Sequence, residues 1–235
     1  MQCVKAILFD VFGTVVDWRT SLIEELTGFS ATRGIAADWT GLVDAWRRAY
    51  APSMERVRRG EQPWTNLDAL HRASLERLVA EFGIAGIGAA ELDQLTRAWH
   101  RLRPWPDALP GLTRLKTRHI IAPLSNGNVA LLVNLSKHAG LPWDWVGSAE
   151  LFRHYKPDPE TYLGAARLLG LVPAEVMLAA AHNADLHGAH ACGLKTAFLP
   201  RPTEYGPHQM TDFAADSDWT VVAADIEDLA RQMGA

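Results

Sequence analysis

The pattern of apolar and polar positions changes period twice along the 235-residue chain. It opens with a short, almost unbroken apolar run, Val4-Lys5-Ala6-Ile7-Leu8-Phe9, which delivers Asp10 and then breaks at Val11-Phe12-Gly13-Thr14. A run this short and this continuous predicts a strand buried on both faces, as in the middle of a parallel sheet. From Ser21 to about His100 the period is helical. Leu42, Val43, Trp46 and Tyr50 share one spacing, followed by Leu67, Leu70, Leu75, Leu78, Val79 and Phe82, then by Leu92, Leu95 and Trp99. Gly34, Gly60, Gly83 and Gly86-Ile87-Gly88 punctuate these helices. The segment Arg103-Pro104-Trp105-Pro106-Asp107 closes them as a proline-stiffened linker. Beyond it, strands are predicted at 119–124, 145–148, 175–180 and 196–199, with an edge strand at 219–222 and helices at 186–192 and 226–233. Alternating strands and helices mark a parallel α/β sheet. The loop 200–207 either borders a site or only connects.

Composition narrows the partners more than the fold. A formal net charge of −4 leaves no electrostatic footprint for nucleic acid or an anionic membrane. No apolar run approaches membrane-spanning length, and the first residues lack a charged n-region followed by a cleavable apolar segment, so the expected location is cytoplasmic. Arg47, Arg48, Arg56, Arg58 and Arg59 form the one basic cluster and, Arg47 apart, read as a solvated helix face. Cys3 and Cys192 are too few for a disulfide framework or a zinc site. Of nine tryptophans, Trp39, Trp46, Trp64, Trp99 and Trp105 fall between the first two strands of the sheet; they are expected to pack, with one or two walling a small apolar cleft. A homodimer is compatible with all of this.

Candidate chemistry collects where strands end, which is where an open α/β sheet places its ligand crevice. Gly13 and Thr14 turn the backbone tightly beside Asp10, offering amides and a hydroxyl to an anion; otherwise Asp10 simply caps the next helix. Ser125-Asn126-Gly127-Asn128 follows the second strand and reads equally as a turn with a helix cap. Lys156, in Tyr155-Lys156-Pro157-Asp158-Pro159-Glu160-Thr161-Tyr162, would on its own be a solvated loop lysine. His182, in Ala180-Ala181-His182-Asn183-Ala184-Asp185, lies at a strand end and is either a core-edge residue or part of a pocket.

Together these stretches resemble the motifs of the haloacid dehalogenase (HAD) superfamily, and within it the L-2-haloacid dehalogenase (type II) branch; the likeness covers most of the chain. It implies a Rossmann-like parallel-sheet core, residues 1–17 and 104–235, with an all-helical cap inserted over 18–103 that closes over Asp10. Asp10 matches the covalent nucleophile, and Phe12 stands where superfamily phosphatases carry a second, proton-donating Asp. Phenylalanine cannot protonate a leaving alcohol, whereas a halide needs no proton. Ser125 matches the hydroxyl that binds the substrate's acid group or the nucleophile, Lys156 the lysine that keeps the nucleophile ionised, and Tyr162 the branch's tyrosine six residues later. At the fourth motif only Asp185 remains, with Ala181 at the earlier acidic position, so magnesium lacks a ligand and no cofactor or metal is implied. Asp185 is the expected general base and Thr14 an oxyanion donor. Arg47, in Leu42-Val43-Asp44-Ala45-Trp46-Arg47, would grip the halide or the substrate carboxylate from the cap, with Asn126 on the halide side.

The departure from the branch is local. Type II enzymes usually read Ser-Ser-Asn-Ala-Trp-Asp at the fourth motif. An ungapped match on Asp185 pairs Ala180 and Ala181 with the serines, His182 with the asparagine and Ala184 with the tryptophan; a one-residue shift pairs Asn183 instead. The expected reaction is hydrolysis of a small 2-haloacid to a 2-hydroxyacid. His182 joining Arg47 and Asn126 would extend this to fluoroacetate, while the small Ala184 would favour bromide. A HAD phosphatase with substituted acid and metal ligands, or a non-catalytic HAD-like scaffold, are the alternatives.

Overall fold

The computed structural model describes residues 4–235, so Cys3 lies outside the described residues. In chain order the elements are β1 (Ala6–Phe9), β2 (Val16–Asp17), α1 (Trp18–Ala31), α2 (Trp39–Arg58), α3 (Leu67–Glu81), α4 (Ala89–Thr96), β3 (Arg103–Pro104), α5 (Ala108–Leu115) and β4 (Ile120–Ser125). There follow α6 (Val129–Ala139), β5 (Gly147–Ser148), α7 (Pro159–Leu168), β6 (Val176–Ala180), α8 (Asn183–Ala191), β7 (Lys195–Phe198), β8 (Val221–Val222) and α9 (Ile226–Gln232). Six strands form one parallel sheet in the order β5-β4-β1-β6-β7-β8. All four β1 side chains are buried, Ile7 and Phe9 in one apolar layer and Ala6 and Leu8 in the other, as the alternation of a strand requires. The chain runs outward from β1 through β4 and β5, returns to β6 on its other side, and runs outward again through β7 and β8. Strand order therefore reverses at β1, and the crevice of this α/β fold opens at its carboxyl end, where Asp10 sits.

The stretch between β1 and β4 is helical as expected, with one exception. β2 and β3 pair antiparallel, Val16 with Pro104 and Asp17 with Arg103, so the outgoing and returning passages of the chain are bonded to each other. Trp105 strengthens the tie by donating its backbone N–H to the Val15 carbonyl and its indole N–H to the Gly13 carbonyl. Two-residue strands carry no readable period, so the sequence suggests only a linker there. The apolar layer that holds Ile7 and Phe9 continues into the helices through Trp18, Leu42, Trp46 and Trp99. Trp99 stacks on the Trp18 ring and meets Trp46 edge-on at 5.6 Å. Polar ties add to this packing. Tyr155 Oη donates to the Thr65 carbonyl at 2.6 Å, and Arg58 reaches Asp158 at 2.7 Å. Arg58 thus bridges to the sheet side instead of standing on a solvated face.

Other boundaries move for local reasons. α8 begins at Asn183, before its first apolar position Leu186, because His182 and the polar first turn start the helix. The expected strand at 145–148 contracts to Gly147–Ser148, and that at 219–222 to Val221–Val222 on the sheet edge. Among the described residues no helix is long and apolar enough to cross a membrane.

Helices α5 and α9 meet at Gly111, where an added Cβ would come within 2.6 Å of the Ile226 carbonyl carbon and 2.8 Å of the Glu227 nitrogen. Backbone cannot yield as a side-chain tip can. Gly111→Ala is expected to destabilise the protein by about 1–3 kcal/mol through overpacking, seen as a lower urea midpoint at unchanged m-value. An unchanged midpoint would show that the two helices can separate at no cost.

Candidate active site

Asp10 leaves β1 into a cavity of about 200 Å³ lined by Asp10, Phe12, Arg47, Tyr50, Met54, Asn126, Lys156, Pro157, Tyr162, His182, Ala184 and Asp185. The residue is 9% exposed, and each carboxylate oxygen has a defined set of partners. Oδ1 accepts from Lys156 Nζ at 2.9 Å. Oδ2 accepts from Thr14 Oγ1 at 2.8 Å and from His182 Nδ1 at 3.2 Å. Burial alone would push the Asp10 pKa up, but the Lys156 charge and the hydrogen bond and charge of His182 outweigh it and hold the group well below the ordinary carboxylate range. Thr14 is fixed in turn, its Oγ1 accepting the Ala181 N–H at 2.9 Å, so the loops after β1 and β6 are stitched together behind the nucleophile.

Lys156 joins two carboxylates, with Nζ 2.9 Å from Asp10 Oδ1 and 2.5 Å from Asp185 Oδ2. Burial would lower the lysine pKa; Asp10 and Asp185 together raise it above its usual value, and the side chain stays protonated. Asp185 is shifted upward as well: burial, and the nearby Asp10 charge, raise its pKa against the pull of Lys156. Tyr162 Oη donates to Asp185 Oδ1 at 2.6 Å and fixes its orientation. Asn126 lines the cavity, and its Oδ1 accepts the Lys156 backbone N–H at 2.8 Å, which seats the lysine loop.

Arg47 reaches the cavity from α2. Its guanidinium lies 4.5 Å from the Tyr50 ring centroid and 5.3 Å from that of Trp18, and Nη1 is buried without a hydrogen-bond partner among the described residues. Nη2 donates to Tyr205 Oη at 3.3 Å and lies 3.8 Å from Glu204 Oε1. Glu204 is 1% exposed, and sequence reasoning does not single it out, although it belongs to the loop 200–207 that can border a site. It accepts from Trp18 Nε1 at 2.9 Å and from His182 Nε2 at 2.8 Å. Tyr50 and Met54, one and two helical turns beyond Arg47, also escape the sequence; an apolar helix face gives no sign of which part looks onto a cavity rather than a core.

Three expectations meet a different placement. Asn183 does not line the cavity: Nδ2 donates to Asp212 Oδ1 and the Ala214 carbonyl, and Oδ1 accepts from Trp219 Nε1 and the Asp216 N–H. It organises the 212–219 loop. Ser125 is fully buried outside the cavity lining, and its Oγ accepts the Gly127 N–H at 3.1 Å. His182 does line the cavity, but both ring nitrogens are committed to Asp10 and Glu204, which leaves no N–H for a halide. The structure brings the remaining candidates together: Asp10, Phe12, Thr14, Arg47, Asn126, Lys156, Tyr162 and Asp185. Divalent-cation ligation fits this set poorly. The Lys156 ammonium already bridges Asp10 and Asp185, and Phe12 offers no side-chain oxygen.

Fold and site together define an α/β enzyme of hydrolase type, with a buried carboxylate at the sheet's switch point under a helical cover. The model of the haloacid dehalogenase-like hydrolases matches residues 4–193. A solved L-2-haloacid dehalogenase superposes with a TM-score of 0.96 at 56% identity, over 98% of this chain and 99% of its own. A solved defluorinating L-2-haloacid dehalogenase does so with a TM-score of 0.96 at 50% identity, over 99% and 96%. The (S)-2-haloacid dehalogenase of Xanthobacter autotrophicus is 30% identical over 84% of this chain and 76% of its own. The chain belongs to the haloacid dehalogenase-like hydrolases.

With Lys156→Met the largest opposing influence on the buried Asp10 disappears, and the Asp10 pKa is expected to rise by about 1–3 pH units. Carbon-13 NMR titration of the Asp10 carboxyl should then find the variant's midpoint above that of the wild type, which lies below the ordinary aspartate value of about 3.9. Equal midpoints would mean that His182 alone keeps Asp10 ionised.

Proposed function

We propose that this protein hydrolyses short 2-haloalkanoic acids to 2-hydroxyacids and halide through an ester of Asp10. The observation that carries the reading is the ammonium of Lys156 set between two buried carboxylates, with Phe12 in place of an acid. Such a site supplies an ionised nucleophile and a base, and it offers a leaving group no proton.

Of the two Asp10 oxygens, Oδ2 already accepts two hydrogen bonds, while Oδ1 accepts one from Lys156 and keeps a lone pair free. Oδ1 is therefore the attacking atom. It displaces halide from C2 in line, inverting that carbon where it is chiral. Halide departs toward the Arg47 guanidinium, whose Nη1 is buried and unpartnered among the described residues, beside Asn126 and the Phe12 ring. Water then attacks Cγ of the ester and gives a proton to Asp185, whose raised pKa suits a base. The released alkoxide takes that proton, and Asp10 returns to its carboxylate by losing the water's second proton to solvent.

Halide release from chloroacetate and (S)-2-chloropropionate without added magnesium is the direct test, with (R)-lactate expected from the latter. Asp10→Asn is expected to abolish turnover, and single turnover in oxygen-18 water to label Asp10 before the product. Label confined to the product would overturn the covalent route, and phosphate release from a phosphate ester with magnesium in place of halide release would overturn the whole reading.

Fluoroacetate belongs to the proposed substrates. The small cavity and the Arg47 guanidinium among its lining support this, since fluoride is the halide most dependent on strong donors as it leaves. Wild type is expected to release fluoride measurably at a fluoride electrode. Arg47→Lys should lose fluoride release by a larger factor than bromide release, and equal factors would remove Arg47 from the halide site.

A further inference from the structure

A buried chain of hydrogen bonds runs from Asp10 through His182 and Glu204 to Trp18, and attack on C2 and halide departure leave the last three of these groups unused. His182 bonds a carboxylate oxygen at each ring nitrogen, Nδ1 to Asp10 at 3.2 Å and Nε2 to Glu204 at 2.8 Å. Where both carboxylates are ionised they only accept, and this pair of contacts then calls for a proton on each ring nitrogen, which is the imidazolium form. Glu204 is held in place by its surroundings. Its backbone N–H is bonded to the Arg201 carbonyl. Arg201 is itself buried, held by a bidentate pair with Asp107 at 2.7 and 2.8 Å and by the Thr14 carbonyl at 3.0 Å. Room for the Glu204 carboxyl is left by Gly13, whose φ is +89° and where a Cβ would lie 2.2 Å from that carboxyl.

We propose that Glu204 is a positioning residue that keeps His182 charged with its Nδ1–H on Asp10 Oδ2, and that His182 with Thr14 forms the oxyanion site for hydrolysis of the Asp10 ester. The proposal rests on the hydrolytic reading above. Once Oδ1 has been alkylated, Oδ2 is the ester's carbonyl oxygen, and it already lies against the two donors. Water forms a bond to Cγ and passes one proton to Asp185 while the Cγ–Oδ2 π pair moves onto Oδ2. Collapse of that oxyanion restores the π bond and breaks the Cγ–Oδ1 bond. Oδ1 leaves as the alkoxide of the hydroxyacid and takes the proton from Asp185, and the water oxygen replaces it in the carboxyl group. Alkylation neutralises Asp10, so during this stage Glu204 is the carboxylate still bonded to the ring.

Other charges face His182 as well. Lys156, Asp185 and Tyr162 line the same cavity, and Arg47, Arg48, Asp44, Tyr50, Tyr205 and Asp212 line the outer cleft that His182 also borders. In the resting protein Glu204 and Asp10 outweigh the burial that opposes charge and hold the His182 pKa well above its ordinary value, so the ring stays protonated through neutral pH. Without the Glu204 charge the ring should lose its proton at lower pH. Ester hydrolysis should then slow as pH rises through neutrality.

Rapid-quench mass spectrometry with (S)-2-chloropropionate separates the two steps. In His182→Gln, a halide burst of about one equivalent, accumulation of the Asp10 adduct and a fall in kcat of about 100- to 1,000-fold are expected, as for loss of one oxyanion donor. Glu204→Gln should give the same burst and adduct with a smaller fall in kcat, and its alkaline limb of adduct hydrolysis should move toward neutral pH. Slowed adduct formation in place of accumulation, or turnover at the wild-type rate, overturns the proposal. Nitrogen-15 NMR of the wild type at pH 8 decides it without a variant: two protonated ring nitrogens on His182 are expected, and a neutral ring overturns it. Absence of both halide and adduct in the wild type would instead sink the dehalogenase reading itself.

Discussion

A carboxylate that is nine-tenths buried can remain a nucleophile only if its charge is answered at close range, because desolvation otherwise returns it to the protonated form. Asp10 is answered twice, by Lys156 at one oxygen and by His182 at the other. The two cations come from different loops, Lys156 from the segment after β5 and His182 from the end of β6. Only a parallel sheet, with its carboxyl ends aligned on one side, gathers them around the tip of β1. The same alignment adds Asn126 after β4 and Glu204 after β7. Removing one partner from such a cluster leaves an uncompensated buried charge, which costs more than the pair contributes.

The helical segment supplies what the sheet does not. Arg47, Tyr50 and Met54 lie on successive turns of α2 and close the cavity from above. Exposed ion pairs such as Arg58 with Asp158 contribute little to holding this segment in place. The continuous apolar layer from Phe9 through Trp18 and Trp99 to Trp46 is the larger influence, and the β2–β3 pairing fixes where the two chain passages cross. Any movement of α2 would carry Arg47, Tyr50 and Met54 together, and would separate Arg47 from Glu204 and Tyr205.

Much of the fold is legible in the sequence because each large element carries its own period: the unbroken run of β1, the helical spacing between residues 21 and 100, and the alternation after it. Asp10, Lys156 and Asp185 are legible because each stands in a contiguous motif that suits one kind of chemistry. Position within a motif does not reveal direction. Asn183 directly follows His182 yet points into the 212–219 loop, and Ser125 directly precedes Asn126 yet turns back to Gly127. Neither distinction is written in composition or spacing; both depend on which neighbour offers the unmet hydrogen bond. Glu204 stays hidden for a related reason, since a lone glutamate in a proline-rich loop reads as solvated until the loop is seen folded over Gly13.

That contact joins two features that look unrelated in the sequence. Gly13 marks the tight turn beside the nucleophile, and His182 marks the departure from the Ser-Ser-Asn-Ala-Trp-Asp pattern of the branch. A histidine placed against a buried aspartate holds its charge more firmly when a second anion lies behind it, and a second buried anion needs both space and donors. Gly13 provides the space by lacking a Cβ, while Trp18 Nε1 and the nearby Arg47 provide donors beyond the imidazole. Substituting His182 into a site without Glu204 would therefore bring in a ring more easily deprotonated, and placing Glu204 without His182 would leave a buried carboxylate short of a partner. The two residues make physical sense only as a pair. His182 at the fourth motif and Glu204 thus act together on the charge at Asp10 Oδ2, in a network that reaches from β6 to the loop after β7.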